Sequence, residues 1–493
     1  MPPPVRIRAA NAAGIRAKGR YVLYWVIATR RATWNHALDH AIASARELGV
    51  PVLVFEPLRT GYAWACDRFH AFALQGMADN ARAFASAGLA YFPYVEPTAG
   101  GGRGLLAALA ARARLVVTDE QPGFFQPRMV AAAAERLDVR LDVVDSCGVL
   151  PLRAVDRAYP TAASFRRQLQ KTLLPHLLAP PASKLERTRE AAEVPAAVTR
   201  KWPPAALGSI ELARLPIDHA IAPVGYRGGA RAAQATLSAF LERKLPRYAE
   251  ERSDPDADVA SGLSPYLHFG HISAHDIALR VLEGAAWDPA RLADAKVTGS
   301  REGWWGVPAN EESFLDELIT WRELGYGFCY HRADFDRWTA LPPWARATLD
   351  EHARDPRPER YTRRELEEAR TGDELWNAAQ RELVADGRIH NYLRMLWGKK
   401  ILEWSSSPRA RDADRAQQQV RRRRPRSEFL QRHPVDPRPV RSRVGTGAGD
   451  LRNDPLHVVG SDQAQAEAEA LPRALALTLA QRTQSYVNSI MPP

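Results

Sequence analysis

The sequence has few cysteines and no long apolar segment. Its three cysteines, Cys66, Cys147 and Cys329, are odd in number and far apart among 493 residues. A disulfide framework needs paired cysteines in an oxidising compartment, so this pattern favours a reducing cytoplasm. The apolar runs are much shorter than the ~20 residues that span a membrane. The first twenty residues also lack the apolar core of a secretory signal peptide.

The sequence contains no clear metal-binding pattern. His36 and His40 are one helical turn apart, but no third ligand lies near them. Because zinc sites need three or four closely spaced ligands, we interpret both as surface or satisfied helix residues.

The chain is basic, with a net charge of +11 and a pI of about 9.7. This charge is compatible with nucleic acid as a partner. However, residues 405–493 hold 15 Lys and Arg against 9 Asp and Glu, a net of +6, and the preceding residues hold the other +5. Charge alone is therefore weak evidence for DNA binding.

Residues 21–150 alternate apolar runs with helical patterns. Five runs predict buried strands, and they begin at Tyr21, Val50, Leu89, Ala113 and Val139. Helical patterns lie between them at Trp34–Leu48, Asp67–Ala87, Gly104–Arg112 and Pro127–Leu137. This alternation predicts an open, doubly wound parallel α/β sheet. The glycines at Gly100–Gly104 lack the GxGxxG order, so we interpret them as a plain loop.

The organisation differs on either side of this α/β domain. We predict residues 1–20 to be a disordered N-terminus and residues 151–215, rich in Pro, Ala and Arg, to be an interdomain linker with short helices. Residues 216–408 have helical patterning with proline breaks and predict an all-helical domain.

A first candidate site lies in ASGLSPYLHFGHIS, residues 260–273, which follows Tyr248. Small hydroxyl residues before a proline-started helix offer backbone N–H groups to a phosphate. An ordinary N-cap is the alternative reading.

A second candidate is the pair Glu317 and Trp321, four residues apart on one predicted helix face. A buried carboxylate beside an indole is a poor core pair unless a polar ligand docks there. A flipped-out base would supply both a hydrogen-bonding edge and a flat face. A surface ion pair between Glu317 and Arg322 is the alternative.

A third candidate is the helical segment 375–404, which contains three tryptophans and the motif HNYLRM with Asn391 and Arg394. Trp397 and Trp404 are seven residues apart, so they share one helix face. A core stripe would explain this face equally well.

Taken together, these segments resemble class II cyclobutane pyrimidine dimer photolyases, which belong to the photolyase/cryptochrome family. The resemblance covers residues 20–408. It implies an α/β domain followed by an all-helical FAD-binding domain. It also implies a light-driven lyase that splits pyrimidine dimers in DNA by electron transfer from excited reduced FAD.

The resemblance also implies roles for individual residues. Glu317 would hydrogen-bond the dimer and Trp321 would stack on it, while Tyr248 would contact the flavin nucleotide. The pyrophosphate loop corresponds to Ser261, Gly262, Leu263 and Ser264. Asn391 and Arg394 would lie against the flavin ring, whose charge on reduction they suit. The electron donors correspond to Trp397 next to the flavin, then Trp376, then Trp404 at the exit.

Other functions remain open at this point. A cryptochrome-like photoreceptor would use the same fold, although it has no need of a dimer pocket. An inactive remnant is the third possibility. The resemblance implies a monomer acting on DNA that contains pyrimidine dimers, with a second antenna chromophore of unknown identity possible in the α/β domain.

The resemblance ends after Pro408, where residues 409–493 form an aberrant tail that we predict to be irregular and disordered. Read one base later, with third bases free, Gln417–Arg421 can encode NNKYA and Arg422–Val435 can encode VDGRDPNSYSGILW. Val440–His457 can likewise encode YDRAWGPERAIFGTIRYM. These strings resemble the missing family terminus, so we infer a frameshift after Pro408. Gln417 stands where the family has an asparagine that faces the reactive flavin nitrogen.

Overall fold

A computed structural model describes residues 2–187, 190–293 and 295–405. The predicted tail, residues 409–493, with its shifted reading frame and Gln417, lies outside the described residues.

The described residues form two compact units. The first unit comprises residues 2–249 and 260–340, and the second comprises residues 250–259 and 341–405. The predicted boundaries after residues 150 and 215 both fall inside the first unit. The predicted division into an α/β domain, a linker and a helical domain remains a proposal.

The first unit contains a six-stranded sheet. Its strands are β1 (Ile7–Ala9), β2 (Tyr21–Trp25), β3 (Val52–Leu58), β4 (Ala90–Val95), β5 (Ala113–Asp119) and β6 (Leu141–Val144). Their order across the sheet is β1-β6-β5-β2-β3-β4. Strands β2 to β6 pair in parallel, which confirms the predicted doubly wound sheet.

The N-terminal strand β1 corrects one prediction. Residues 7–9 pair antiparallel with β6, so the expectation that residues 1–20 are disordered is wrong here. Arg6 is fully buried, and its guanidinium donates to the carbonyl oxygens of Asp145, Gly148 and Val149 at 3.2, 3.2 and 2.6 Å. Composition cannot reveal this pairing, because the partner strand is distant in the sequence.

Both faces of the sheet are buried. On β2, Tyr21, Leu23 and Trp25 pack into one hydrophobic cluster, whereas Val22 and Tyr24 pack into another. A parallel strand covered on both faces has a continuous apolar sequence instead of an alternating one. For this reason β2 could be predicted from its sequence.

Four helices connect the strands of the sheet. They are α1 (His36–Leu48), α2 (Asp67–Ala87), α3 (Leu105–Ala110) and α4 (Gln126–Ala134). Helix α2 has its predicted bounds. Helix α1 begins two residues later than predicted, because the Asn35 side chain caps it by accepting the N–H of Leu38 at 3.0 Å.

The two histidines of α1 are buried. The Nε2 atom of His40 is 2.9 Å from the Asp142 carboxylate, but its Nδ1 atom and both ring nitrogens of His36 have no hydrogen-bond partner among the described residues, so the expectation of surface or satisfied histidines holds only for this one nitrogen. Burial lowers the pKa of His36 well below its usual value, which keeps that imidazole neutral.

The glycines at 100–104 form a loop, as predicted, and one of its amides has an anionic partner. The carboxylate of Glu96 accepts the N–H groups of Thr60, Gly61 and Gly102 at 3.0, 3.3 and 3.2 Å. The Gly102 amide is thus bonded to the chain's own carboxylate, and the amides of Gly101 and Arg103 are bonded to loop carbonyl oxygens, which agrees with a plain loop.

The predicted linker contains more structure than expected. Helix α5 (Ala162–Leu177) is 16 residues long, and α6 (Ala196–Lys201) follows it. Phe165, Leu169 and Leu173 of α5 are buried in the same hydrophobic cluster as the helices that follow.

The remaining helices confirm the all-helical pattern predicted for residues 216–408, as far as residue 405. They are α7 (Ala230–Arg243), α8 (Tyr248–Glu251), α9 (Ser264–Phe269), α10 (Ala274–Gly284), α11 (Ala290–Ala293), α12 (Ala309–Leu315), a π-helix (Asp316–Trp321), α13 (Arg322–His331), α14 (Pro343–Glu351), α15 (Arg363–Glu367), α16 (Glu374–Asp386) and α17 (Asn391–Trp404). Across residues 2–187, 190–293 and 295–405, none of the helices is both long and apolar enough to cross a membrane.

Candidate active-site residues

Glu317 and Trp321 lie in the π-helix between α12 and α13. A π-helical turn is rare and occurs frequently at functional sites. Both side chains are half-buried, so Glu317 is less enclosed than the buried carboxylate we predicted. An external ligand can therefore reach both residues at the surface of the first unit.

A partly buried ion pair lies beside the indole of Trp321. The guanidinium of Arg166 lies 5.9 Å from the centre of the Trp321 ring, and it forms two hydrogen bonds of 2.7 Å with the Asp316 carboxylate. A two-point Arg–carboxylate contact fixes the plane of the guanidinium. Asp316 belongs to the same π-helix, so this pair anchors the helix that carries both candidate residues.

The start of α13 is anchored to the residues that follow β6. The buried carboxylate of Glu323 accepts the N–H groups of Val149 and Leu150 at 2.6 and 2.9 Å, and burial raises its pKa to about 7. Arg322 is buried and donates to the carbonyl oxygen of Cys147 at 2.6 Å. A surface ion pair with Glu317 therefore does not describe the role of Arg322.

The predicted nucleotide-contacting residues pack on one hydrophobic cluster of the first unit. Tyr248 is buried at the start of α8, with edge-on ring contacts to Phe240 and Phe314 at 5.8 and 5.4 Å. Leu263 belongs to the same cluster, and Trp321 packs against it.

The segment Ser261–Ser264 forms a tight turn into α9. Gly262 has a φ of +69°, and the Ser261 hydroxyl oxygen accepts the N–H of Leu263 at 3.3 Å. Ser264 is the first residue of α9, and its N-cap residue, Leu263, provides no side-chain cap. Ser264 is thus not the N-cap of α9, which disfavours the interpretation of this motif as an ordinary serine N-cap.

In the second unit, Asn391 and Arg394 lie on the first turn of α17 and contact each other. The Arg394 guanidinium donates to the Asn391 side-chain oxygen. The preceding His390 donates to the carbonyl oxygen of Arg252 at 3.1 Å, and the Tyr392 hydroxyl lies 2.8 Å from that of Ser253. Residues 250–259 thus hold the N-terminal end of α17 in place.

The three predicted donor tryptophans form one continuous aromatic stack in the second unit. Trp376 is 6.1 Å from Trp397 in a parallel arrangement and 5.4 Å from Trp404 in an edge-on one. Trp376 is therefore the middle member of the stack, and the order of electron transfer stays a prediction. All three indoles are buried, and Trp404 is only 2% exposed. Trp404 does not meet solvent itself, unlike the exit residue we predicted.

Two residues around the stack were missed in the sequence. The side-chain oxygen of the fully buried Gln380 accepts the Trp397 indole N–H at 3.1 Å. Tyr361 lies edge-on to Trp404, with ring centres 5.0 Å apart. Gln380 follows Trp376 on α16 by one helical turn, which was a usable signal, whereas no sequence pattern links Tyr361 to Trp404.

Two solved structures have the same overall fold. A bacterial class III photolyase from Agrobacterium tumefaciens has a TM-score of 0.54 at 17% identity, covering 82% of this chain and 80% of its own. A cryptochrome from Synechocystis has a TM-score of 0.54 at 15% identity, and the match covers 92% of this chain and 86% of the cryptochrome. The fold is thus that of photolyases and cryptochromes.

The sequence relatives are more specific. The deoxyribodipyrimidine photo-lyase of Methanothermobacter thermautotrophicus is 33% identical over 404 residues, which are 82% of this chain and 82% of that protein. The enzyme of the same name from Oryza sativa is 32% identical over a match that covers 82% of this chain and 76% of that protein. No family model matches the chain. The chain belongs to the deoxyribodipyrimidine photolyase family.

Proposed function

We propose that this lyase repairs cyclobutane pyrimidine dimers in DNA, using blue light and FAD. The observation that carries the proposal is the stack of Trp397, Trp376 and Trp404 within a chain whose relatives are deoxyribodipyrimidine photo-lyases. Stacked indoles can supply electrons one after another to a light-excited flavin. Such a stack serves an enzyme whose flavin must be kept reduced.

The lesion-binding role falls to the π-helix of the first unit. Glu317 would accept hydrogen bonds from the edge of a flipped-out dimer and stabilise it after it gains an electron. Trp321, with the Arg166 guanidinium 5.9 Å from its ring centre, would stack against the dimer face. Both are half-buried, so they can be reached without unfolding the unit.

The residues present fit FAD in each unit considered separately. In the first unit, the turn Ser261–Ser264 leads into a helix without a side-chain cap, which suits a pyrophosphate. Tyr248 adds an aromatic surface for the nucleotide. In the second unit, Asn391 and Arg394 offer an amide and a cation to a flavin ring. Bound FAD would supply the photo-excited electron that these residues cannot provide.

We further propose a monomeric protein in the cytoplasm, with a second antenna chromophore possible in the α/β domain. We also propose that the altered tail weakens flavin binding and repair, because the family asparagine is replaced by Gln417.

The test is repair of a thymine-dimer oligonucleotide by this chain under blue light, with a dark control. A second version carries the reading frame restored after Pro408. We expect little repair by the first protein and light-dependent repair by the second. Repair by neither would reject the proposed function, and flavin photoreduction without repair would favour a photoreceptor. Repair by the unaltered chain would instead reject the proposed effect of the tail.

A further inference from the structure

The Trp404 end of the tryptophan stack is buried, and a tyrosine lies beyond it. Trp404 is 2% exposed and therefore cannot pass an oxidising equivalent to solvent directly. The ring of Tyr361, which is half-buried, lies 5.0 Å from Trp404 at an angle of 84°. This separation is shorter than either contact within the tryptophan stack, so Tyr361 extends the stack toward the surface.

The hydroxyl of Tyr361 has a carboxylate within reach. It accepts the N–H of Gly372 at 2.8 Å and donates to the Glu359 carboxylate at 3.1 Å. Partial burial raises the pKa of Tyr361, so the phenol is protonated at neutral pH. A phenol becomes strongly acidic once oxidised, and a carboxylate at this distance is placed to take its proton. Glu359 is exposed and can pass that proton to water.

A cation beside Trp404 favours onward transfer. The Lys400 ammonium lies 5.4 Å from the centre of the Trp404 ring, and 3.3 Å from the Glu403 carboxylate. A nearby positive charge disfavours a second positive charge on the indole, although Glu403 offsets part of this effect. An oxidised Tyr361 that has lost its phenolic proton is neutral, so the Lys400 ammonium does not disfavour it in this way.

We propose that Tyr361 is a fourth electron donor after Trp397, Trp376 and Trp404, and that Glu359 accepts its proton. One electron moves from Tyr361 to the oxidised Trp404, the phenolic O–H bond breaks, and the proton moves to the Glu359 carboxylate. The products are a neutral Trp404, a neutral tyrosyl radical and a protonated Glu359. The oxidant at the start of the stack is a photo-excited oxidised flavin, so the inference rests on the proposed electron-transfer role of the tryptophans.

The first experiment is flash photolysis of the full chain loaded with oxidised FAD, in the wild type and in Tyr361→Phe. The phenyl ring preserves the contact with Trp404 but lacks the ionisable hydroxyl. We expect the wild type to convert a tryptophan radical cation into a tyrosyl radical, identified by electron paramagnetic resonance with ring-deuterated tyrosine. In Tyr361→Phe the tryptophan radical should persist until it recombines with the reduced flavin, without forming a tyrosyl radical. Tyr392→Phe is the matched control, since its hydroxyl bonds Ser253 in the same unit.

A second experiment does not depend on flavin retention. Azidyl radicals from pulse radiolysis oxidise tryptophan in the flavin-free chain, and the tryptophan-to-tyrosine step is followed in the same three proteins. A lower tyrosyl yield in Tyr361→Phe alone would support the inference even if the chain retains no flavin and the proposed function fails. Equal tyrosyl yields in wild type and Tyr361→Phe would overturn it, whatever the outcome for repair.

The role of Glu359 has its own readout. In Glu359→Gln the phenol remains but its proton acceptor is lost. We expect slower tyrosyl formation and a changed rate ratio between H2O and D2O, with unchanged formation of the tryptophan radical. Tyrosyl formation at the wild-type rate and isotope ratio would remove Glu359 from the proposal.

Discussion

The indole rings of Trp376 and Trp397 lie at 2° to one another, with their centres 6.1 Å apart. The Trp376 indole N–H also donates to the backbone carbonyl oxygen of Trp397 at 3.2 Å. The two rings are therefore held in register by a hydrogen bond as well as by packing. Because Trp376 also contacts Trp404, any electron passing along the stack must cross this ring.

We expect Trp376→Phe to slow light-driven flavin reduction by more than an order of magnitude, because phenylalanine is far harder to oxidise than tryptophan. The smaller ring should also lower the free energy of unfolding by ~1–3 kcal/mol. Trp344→Phe is the control, since Trp344 is 36% exposed in the same unit. Flavin reduction is followed by absorbance under blue light with an external reductant. Equal rates in the two variants would contradict the assigned order of donors.

The buried carboxylate of Glu323 should make stability depend on pH. Its folded-state pKa is raised from 4.5 to about 7 by burial. Between these values the native state binds more protons than the unfolded state, so the free energy of unfolding falls as pH rises. We expect a fall of about 3 kcal/mol across this window. Urea unfolding at pH 4.5 and pH 7 measures it.

Glu323→Gln should remove most of this pH dependence. The amide also places a donor near the N–H groups of Val149 and Leu150, so its absolute stability should be lower at both pH values. Only the difference between the two pH values is diagnostic. Glu302→Gln, an exposed residue paired with Arg301, should leave that difference unchanged. A pH difference that persists in Glu323→Gln would mean that another group titrates.

Arg166 should affect the affinity for damaged DNA without taking part in electron transfer. Lysine cannot form the two-point contact with Asp316, so Arg166→Lys should leave the Trp321 ring less restrained. We expect the affinity for a dimer-containing oligonucleotide to fall by roughly tenfold, or ~1.4 kcal/mol. Arg167→Lys is the neighbouring control, because that exposed side chain donates to the Thr298 carbonyl oxygen instead. Fluorescence anisotropy with damaged and undamaged DNA separates specific from general binding, and an equal loss for both DNAs would contradict this role.

Local patterns were sufficient for several parts of this molecule. The bounds of Asp67–Ala87 and the shared face of Trp397 and Trp404 follow from helical periodicity alone. The buried strand Tyr21–Trp25 follows from its continuous apolar sequence. The order of electron transfer through the tryptophans came from family resemblance and stays a prediction, although the ring contacts place Trp376 between Trp397 and Trp404.

Other features depend on partners that are distant in the sequence. The strand Ile7–Ala9 forms by pairing with β6, which is distant in the sequence. Trp404 is buried, and the sequence of its own helix does not show which residues cover it. The π-helix at Asp316–Trp321 has the same residue types as an ordinary helix, so periodicity could not distinguish the two. Glu323 illustrates the same limit, since its backbone partners come from the residues after β6.

Gly270 lies where two backbone segments of the first unit approach closely. It has a φ of +74°, and a Cβ atom there would be 1.9 Å from the carbonyl oxygen of Ala28. Its own carbonyl oxygen accepts a hydrogen bond of 3.1 Å from the buried Arg31 guanidinium. Gly270 also ends α9, the helix that begins at Ser264, so this contact fixes the position of the proposed pyrophosphate turn.

We therefore expect Gly270→Ala to lower the free energy of unfolding by at least ~3 kcal/mol, through both strain and collision. Flavin affinity should fall with it, because the turn at Ser264 loses its anchor. Gly284→Ala is the matched control: it is the last residue of α10, with open space around a Cβ, and should stabilise the chain by about 0.4–1 kcal/mol. Urea midpoints of the two variants measure the contrast. Similar midpoints would mean that the Ala28 segment can move aside without cost, and that the turn is held by other contacts.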